Sequence, residues 1–133
     1  MGVIPALGEL LPPQYLLMMI AGTMGGIMIG AMPGLTSVMG VTLLLPFTYG
    51  MDPAAGISML LAISFGAISG GSITAILINT PGTPASAATS LDGYPMAQKG
   101  HGLRALHDAL SASTIGGLFS CAVLLFAAPP IAS

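Results

Sequence analysis

Two proline–glycine pairs carry the chemistry this chain can offer: Pro33-Gly34, followed by Thr36 and Ser37, and Pro81-Gly82, set between Asn79-Thr80 and Thr83-Pro84-Ala85-Ser86. A helix that begins after such a break presents unpaired N–H groups and its positive dipole end, which suits a carboxylate. The side chains of Thr36, Ser37, Asn79, Thr80, Thr83 and Ser86 add donors, and freed carbonyls suit a cation. An anion site built this way needs no arginine, and this chain has only Arg104. The competing reading is that these residues only cap helices and make kinks. For Pro33-Gly34 the two readings stand level. For Asn79 to Ser86 the polar density exceeds what a connector requires, and the site reading is taken.

Other reactive types are sparse. Asp92 is a protonatable group in a greasy setting, where ionisable residues are functional by default, and is the candidate for ion coupling. Asp92-Gly93 is also an ordinary turn signal, and the turn is the reading adopted. His101, His107 and Asp108 have no metal or catalytic motif around them and read as a solvated, interfacial helix start. Lys99 and Arg104 read as topology anchors. Cys121 is the only cysteine, which rules out an internal disulfide and leaves a small packing residue. No nucleophile elbow, HExxH or paired aspartate–glycine motif occurs, so an enzyme is not expected, nor a bound cofactor or metal.

The elements that must position these residues are set by composition. Of 133 residues, 54% are hydrophobic and 5% charged, with a mean hydropathy of +0.95, whereas soluble domains run near a quarter charged. No Asp, Glu, Lys or Arg lies between Glu9 and Asp52, between Asp52 and Asp92, or after Asp108. Runs of this length exceed the ~20 apolar residues of a spanning helix. The lipid bilayer is the main solvent, and with Lys99 and Arg104 as the only basic residues nucleic acid is excluded as a partner. The N-terminus has no Lys or Arg before its first apolar run and does not read as a cleaved secretory signal.

The expected fold is an all-α, polytopic membrane bundle with discontinuous helices or re-entrant segments, forming a single transmembrane region over residues 1–133. Met1 to Pro13 reads as an interfacial lead-in. Apolar segments are expected over about 15–32, 36–49, 54–78 and 103–128, joined after the third by a polar connection over 79–102. The second segment is short; it is half of a re-entrant hairpin or the continuation of one kinked span. Asp52-Pro53 reads as N-cap and first helical residue, and Thr83-Pro84 repeats the pattern, opening a short helix that ends at Asp92-Gly93. Pro129-Pro130 is expected to stop the last helix. By the positive-inside tendency, Lys99 and Arg104 put their connection in the cytoplasm and Asp52 outside.

Small residues recur at every fourth position in three stripes: Gly22, Gly26, Gly30 and Gly34; Ala62, Gly66, Gly70 and Thr74; Ala109, Ser113, Gly117 and Cys121. Such stripes let helix backbones approach closely in lipid and imply further helices to pack against. A faint internal echo accompanies them: Gly25-Gly26 precedes the first break as Gly70-Gly71 precedes the second, the kind of paired interruption that marks transporter sites.

Residues 30–36 (GAMPGLT), 43–53 (LLLPFTYGMDP), 70–82 (GGSITAILINTPG) and 91–97 (LDGYPMA) together resemble the large membrane subunit of tripartite tricarboxylate transporters, and the similarity runs from about Leu10 to Pro130. The resemblance implies a permease subunit taking up citrate or a related carboxylate across the bacterial inner membrane, driven by a proton or sodium gradient. It implies a periplasmic solute-binding protein and a small four-helix membrane subunit as partners, and maps the family's motifs onto Pro33 to Ser37, Asn79 to Ser86, and Leu91 to Ala97. Members of that family are several times longer, so this chain is expected to be an N-terminal portion that needs further helices to transport. The alternative is a non-transporting membrane scaffold or assembly subunit, packed through its small-residue stripes.

Overall fold

A computed structural model describes residues 12–132, together with Pro5 and Gly8. The expected lead-in over Met1 to Pro13 lies almost wholly outside the described residues. Those described are helical, without strands: α1 (Pro13–Gly30), α2 (Ser37–Thr48), α3 (Pro53–Ile78), a 3₁₀ turn (Pro84–Ser86), α4 (Ala87–Met96), a π turn (Ala97–His101) and α5 (Gly102–Ala132). Three stretches, Pro13–Gly30, Pro53–Ile78 and Pro84–Ile131, are long and apolar enough to cross a membrane. Outward-facing Leu17, Phe65, Phe119 and Phe126 are each at least 66% exposed, a surface suited to lipid rather than water.

Local chemistry sets the helix ends. Pro13 occupies the first position of α1, where a missing N–H costs nothing, so the proline pair opens the helix. At its other end α1 stops at Gly30, two residues short of the expected Met32, because Pro33 disfavours helical geometry in the residue before it. Asp52 accepts the Ala54 N–H at 3.3 Å, and Pro53 follows at the first position of α3. Within the helices Thr23, Thr42, Ser58 and Thr114 each donate to the carbonyl four residues back (Met19, Val38, Ala54, Leu110). A hydroxyl satisfied by its own helix can face hydrocarbon at little cost.

The core is a parallel pair, α1 against α3. A Cβ added at Gly22 would stand 3.0 Å from the Met59 carbonyl oxygen; one at Gly26 would strike the Ile63 carbonyl and one at Gly30 the Ala67 carbonyl. Reciprocally, Gly66 abuts the Thr23 carbonyl and Gly70 the Ile27 carbonyl. Partner numbers rise together, so the helices run in the same direction with two of the three small-residue stripes face to face. Their starting ends are tied by the Tyr15 hydroxyl donating to Asp52 Oδ2 at 3.2 Å.

Because α1 and α3 are parallel, α2 must return between them. Gly40 near its start faces Ile29 and Ile63, while Thr48 at its end lies against Gly56. The short second segment is therefore the returning arm of a hairpin, not a continuation of α1. Gly34 leaves the first stripe: it lies beyond α1 with a φ of 93°, in open space. From Ser113 on, the third stripe meets nothing described, since a Cβ at Gly117 would have no neighbour within 4 Å and Ser113 and Cys121 are exposed, while Ala109 is half-buried.

Two stops fail. Asp92-Gly93 lies inside α4 and makes no turn. Gly93 is there for close approach, because a Cβ on it would come within 2.6 Å of Ile76 Cγ1 on α3. Likewise Pro129 and Pro130 sit inside the last turns of α5, where proline's fixed φ is compatible with a helix. Much of the expected polar connection is thus helix or π turn, with a kink at Gly100, where φ is 83°.

Neighbouring glycines offer a matched test. Gly26→Leu is expected to destabilise the chain in detergent micelles by about 1–3 kcal/mol or more, from loss of helical signal during denaturant titration. Gly25→Leu, whose Cβ enters open space, should change it by less than about 0.5 kcal/mol.

Candidate functional site

The second break does not stay at the end of α3. After Ile78 the chain turns on Asn79, the one non-glycine residue described with positive φ (55°, ψ 29°), whose N–H donates to the Thr74 carbonyl. Thr80 N–H donates to the same oxygen at 3.4 Å. The backbone then runs back alongside α3, so that Gly82 abuts the Gly30 carbonyl and lies with its Cβ position 3.1 Å from Gly71 Cα. Gly71 is seven residues before the end of α3, so this contact sits about 10 Å back from the helix tip. Three backbones meet there, and only glycine fits each.

That meeting point joins the two breaks. Gly30 is the last residue of α1, immediately before the bend through Pro33 and Gly34 to Thr36. Thr36 is the N-cap of α2, its Oγ1 accepting the Met39 N–H at 3.4 Å, which leaves its own O–H free to donate elsewhere. Ser37, half-buried, is the first residue of α2. Pro33 and Gly34 are exposed.

On the other side Thr83 and Ser86 form a reciprocal cap. Thr83 N–H donates to Ser86 Oγ at 3.2 Å, Ser86 Oγ donates to the Thr83 carbonyl at 2.8 Å, and the two hydroxyl oxygens are 3.2 Å apart. Both side chains are buried, at 3% and 1% exposure, against the bare backbone of Gly71. Their polar groups are consumed by one another, so they shape the break more than they offer donors to a ligand. Thr80 Oγ1 donates to the Ile78 carbonyl at 3.3 Å and keeps its lone pairs. The Asn79 side chain is exposed and makes no hydrogen bond among the described residues, leaving both ends of its amide on offer. Pro81 is exposed beside it.

Asp92 is exposed on α4, one residue before the Gly93 contact. His107 Nδ1 and Asp108 Oδ1 stand 4.0 Å apart in an open setting, and no cluster of metal-ligating side chains occurs among the described residues. Lys99, His101 and Arg104 are exposed at the Ile78 end of α3, opposite the Tyr15–Asp52 end. Sequence reasoning missed Gly71 and Gly93 as site-forming residues. Gly71 was legible only as half of a double glycine, and Gly93 was hidden by the turn-like Asp-Gly pair before Tyr94-Pro95.

Parallel helices joined by bare backbone, with two helix interruptions meeting below the tip of α3, resemble the discontinuous-helix arrangement of secondary transporters. The family model for the "Tripartite tricarboxylate transporter TctA family" matches residues 16–133, and the chain belongs to that family. A protein of Agrobacterium vitis described as "Uncharacterized 52.8 kDa protein in TAR-I ttuC' 3'region" is 41% identical over 123 residues, covering 92% of this chain. The chain spans 24% of that relative's length. No solved structure matches it.

Because Thr83 and Ser86 cap one another, Thr83→Ala should cost about 1–2 kcal/mol of stability in a denaturant titration, and Thr83→Ser should restore most of it. Asn79→Gly, which relieves the left-handed backbone while deleting the free amide, should leave stability within about 1 kcal/mol of the parent.

Proposed function

We propose that this chain is the part of a tricarboxylate permease subunit that contains a carboxylate-binding break. The observation carrying the proposal is the three-glycine contact of Gly30, Gly71 and Gly82, which brings both interruptions together inside the length of α3. The free amide of Asn79, the hydroxyls of Thr36 and Thr80, and the backbone around Pro33-Gly34 and Pro81-Gly82 supply neutral donors, as a carboxylate wants where no arginine is present. Ser37 stands at the mouth of α2, while Thr83 and Ser86 hold the second break in shape. A coupling proton or sodium ion would address Asp92, the only carboxylate between Asp52 and Asp108.

The assembly follows the family. A solute-binding protein on the periplasmic side would hand the carboxylate over, and a small membrane subunit and further helices would complete the path in the bacterial inner membrane. With Lys99 and Arg104 on the cytoplasmic side, the break opens in the inner half of the bilayer and the Tyr15–Asp52 end faces the delivering protein. Catalysis has no place in this reading. The exposed third stripe through Gly117 favours a second contribution, scaffolding, by which α5 packs against the rest of the transporter.

In the complete transporter, Asn79→Ala combined with Thr80→Ala is expected to lower tricarboxylate uptake at least tenfold while membrane insertion and subunit assembly persist. Radiolabelled citrate uptake into vesicles measures it. Undiminished uptake would remove the site, and a loss confined to Gly117→Leu would leave only the scaffold.

A further inference from the structure

The segment from Thr80 to Lys99 is bracketed by the two left-handed residues Asn79 (φ 55°) and Gly100 (φ 83°). Between them lie the 3₁₀ turn and α4, seated on α3 at two places: Thr83 and Ser86 over Gly71, and Gly93 over Ile76. Among the described residues no hydrogen bond or ion pair crosses from Pro81–His101 to α1, α2 or α3. The buried polar atoms of the segment, those of Thr83 and Ser86, are satisfied within it, so they would stay paired as it moves. The seat is packing alone: glycine backbone and the fully buried Ile76 and Ala75. In lipid such a seat is held by close packing, with no polar tie from residues 81–99 that release must break.

We propose that residues 81–99 move as one rigid unit, swinging on Asn79-Thr80 and Gly100, and that docking and release of this unit closes and opens the contact of Gly30, Gly71 and Gly82. Two left-handed residues at the ends of a short helical unit, polar ties to α3 confined to Thr80 beside the Asn79 hinge, and self-contained caps are what a hinged element requires. Release uncovers the bare backbone of Gly71 and the end of α1, and docking covers it. The proposal rests on the carboxylate-transporter reading only for the identity of the solute that biases the two positions.

The test is pulsed electron paramagnetic resonance on the full chain in lipid nanodiscs, with Cys121→Ser and spin labels at Met28→Cys and Leu91→Cys, both exposed. A second pair, Met28→Cys with Ile57→Cys, reports on α1 and α3 alone. The parent should show a main distance and a minor longer or shorter one. Gly93→Ala, which presses on Ile76, should raise the minor fraction about tenfold, and Ile76→Ala added to it should bring the fraction back. The second pair should not move in any variant. The hinge is overturned if the Met28–Leu91 distribution is single and identical in parent and Gly93→Ala. It is equally overturned if both label pairs broaden together, because the seat would then hold the whole bundle. Addition of citrate separates the two readings: a distribution that answers to Gly93→Ala and not to citrate sustains the hinge and counts against the carboxylate site.

Discussion

Everything in this molecule hangs on helix backbones touching without side chains between them. Carbonyl oxygens of Thr23 and Ile27 rest on Gly66 and Gly70, and those of Ile63 and Ala67 rest on Gly26 and Gly30. In hydrocarbon, apolar surface has no reason to prefer another helix over a lipid tail, so close packing and weak Cα–H···O contacts must do the holding. The glycine stripes bring α1 and α3 into contact, and the pair is parallel. Parallelism in turn obliges α2 to return between them, and that places the first bend beside Gly70 and Gly71, inside the span of α3.

The second break exploits the same device. Gly82 is the only residue type that lets an irregular backbone lie against both Gly30 and Gly71. Non-helical chain at membrane depth is tolerated when protein covers it, and here two helices and the Thr83–Ser86 cap cover Gly82 and Thr83, while Asn79 to Pro81 stay exposed. Glycine thus serves close approach twice: the pairing that joins the helices also admits the irregular backbone of the second break.

Much of this was legible in the sequence and some was not. Charge-free runs announced the membrane helices, Asp52-Pro53 announced the start of α3, and the motifs around both proline–glycine pairs announced the family. The stripes through Gly22, Gly26, Gly30, Gly66 and Gly70 were readable as packing surfaces because their spacing is local. Which stripe meets which, and in which direction, was not, because that depends on where α2 goes and nothing in its twelve residues fixes its heading. Asp92-Gly93 misled because a turn signal and a close-approach glycine are spelled alike; only Ile76 distinguishes them. Pro129-Pro130 misled because proline is judged by the bond it removes, although its backbone angle still suits a helix. Fold-back of the Pro81-Gly82 segment onto Gly71 is a tertiary event, invisible to any window of neighbouring residues.

The central claim is that the two interruptions are sheltered together and face a carboxylate. Single cysteines at Gly34→Cys and Asn79→Cys in the complete transporter, with Cys121→Ser, can be challenged with a membrane-impermeant thiol reagent in the presence and absence of citrate. The account predicts that both react more slowly than a cysteine at Lys99→Cys and that citrate slows both further. Reaction of both as fast as at Lys99→Cys, unaltered by citrate, would contradict it.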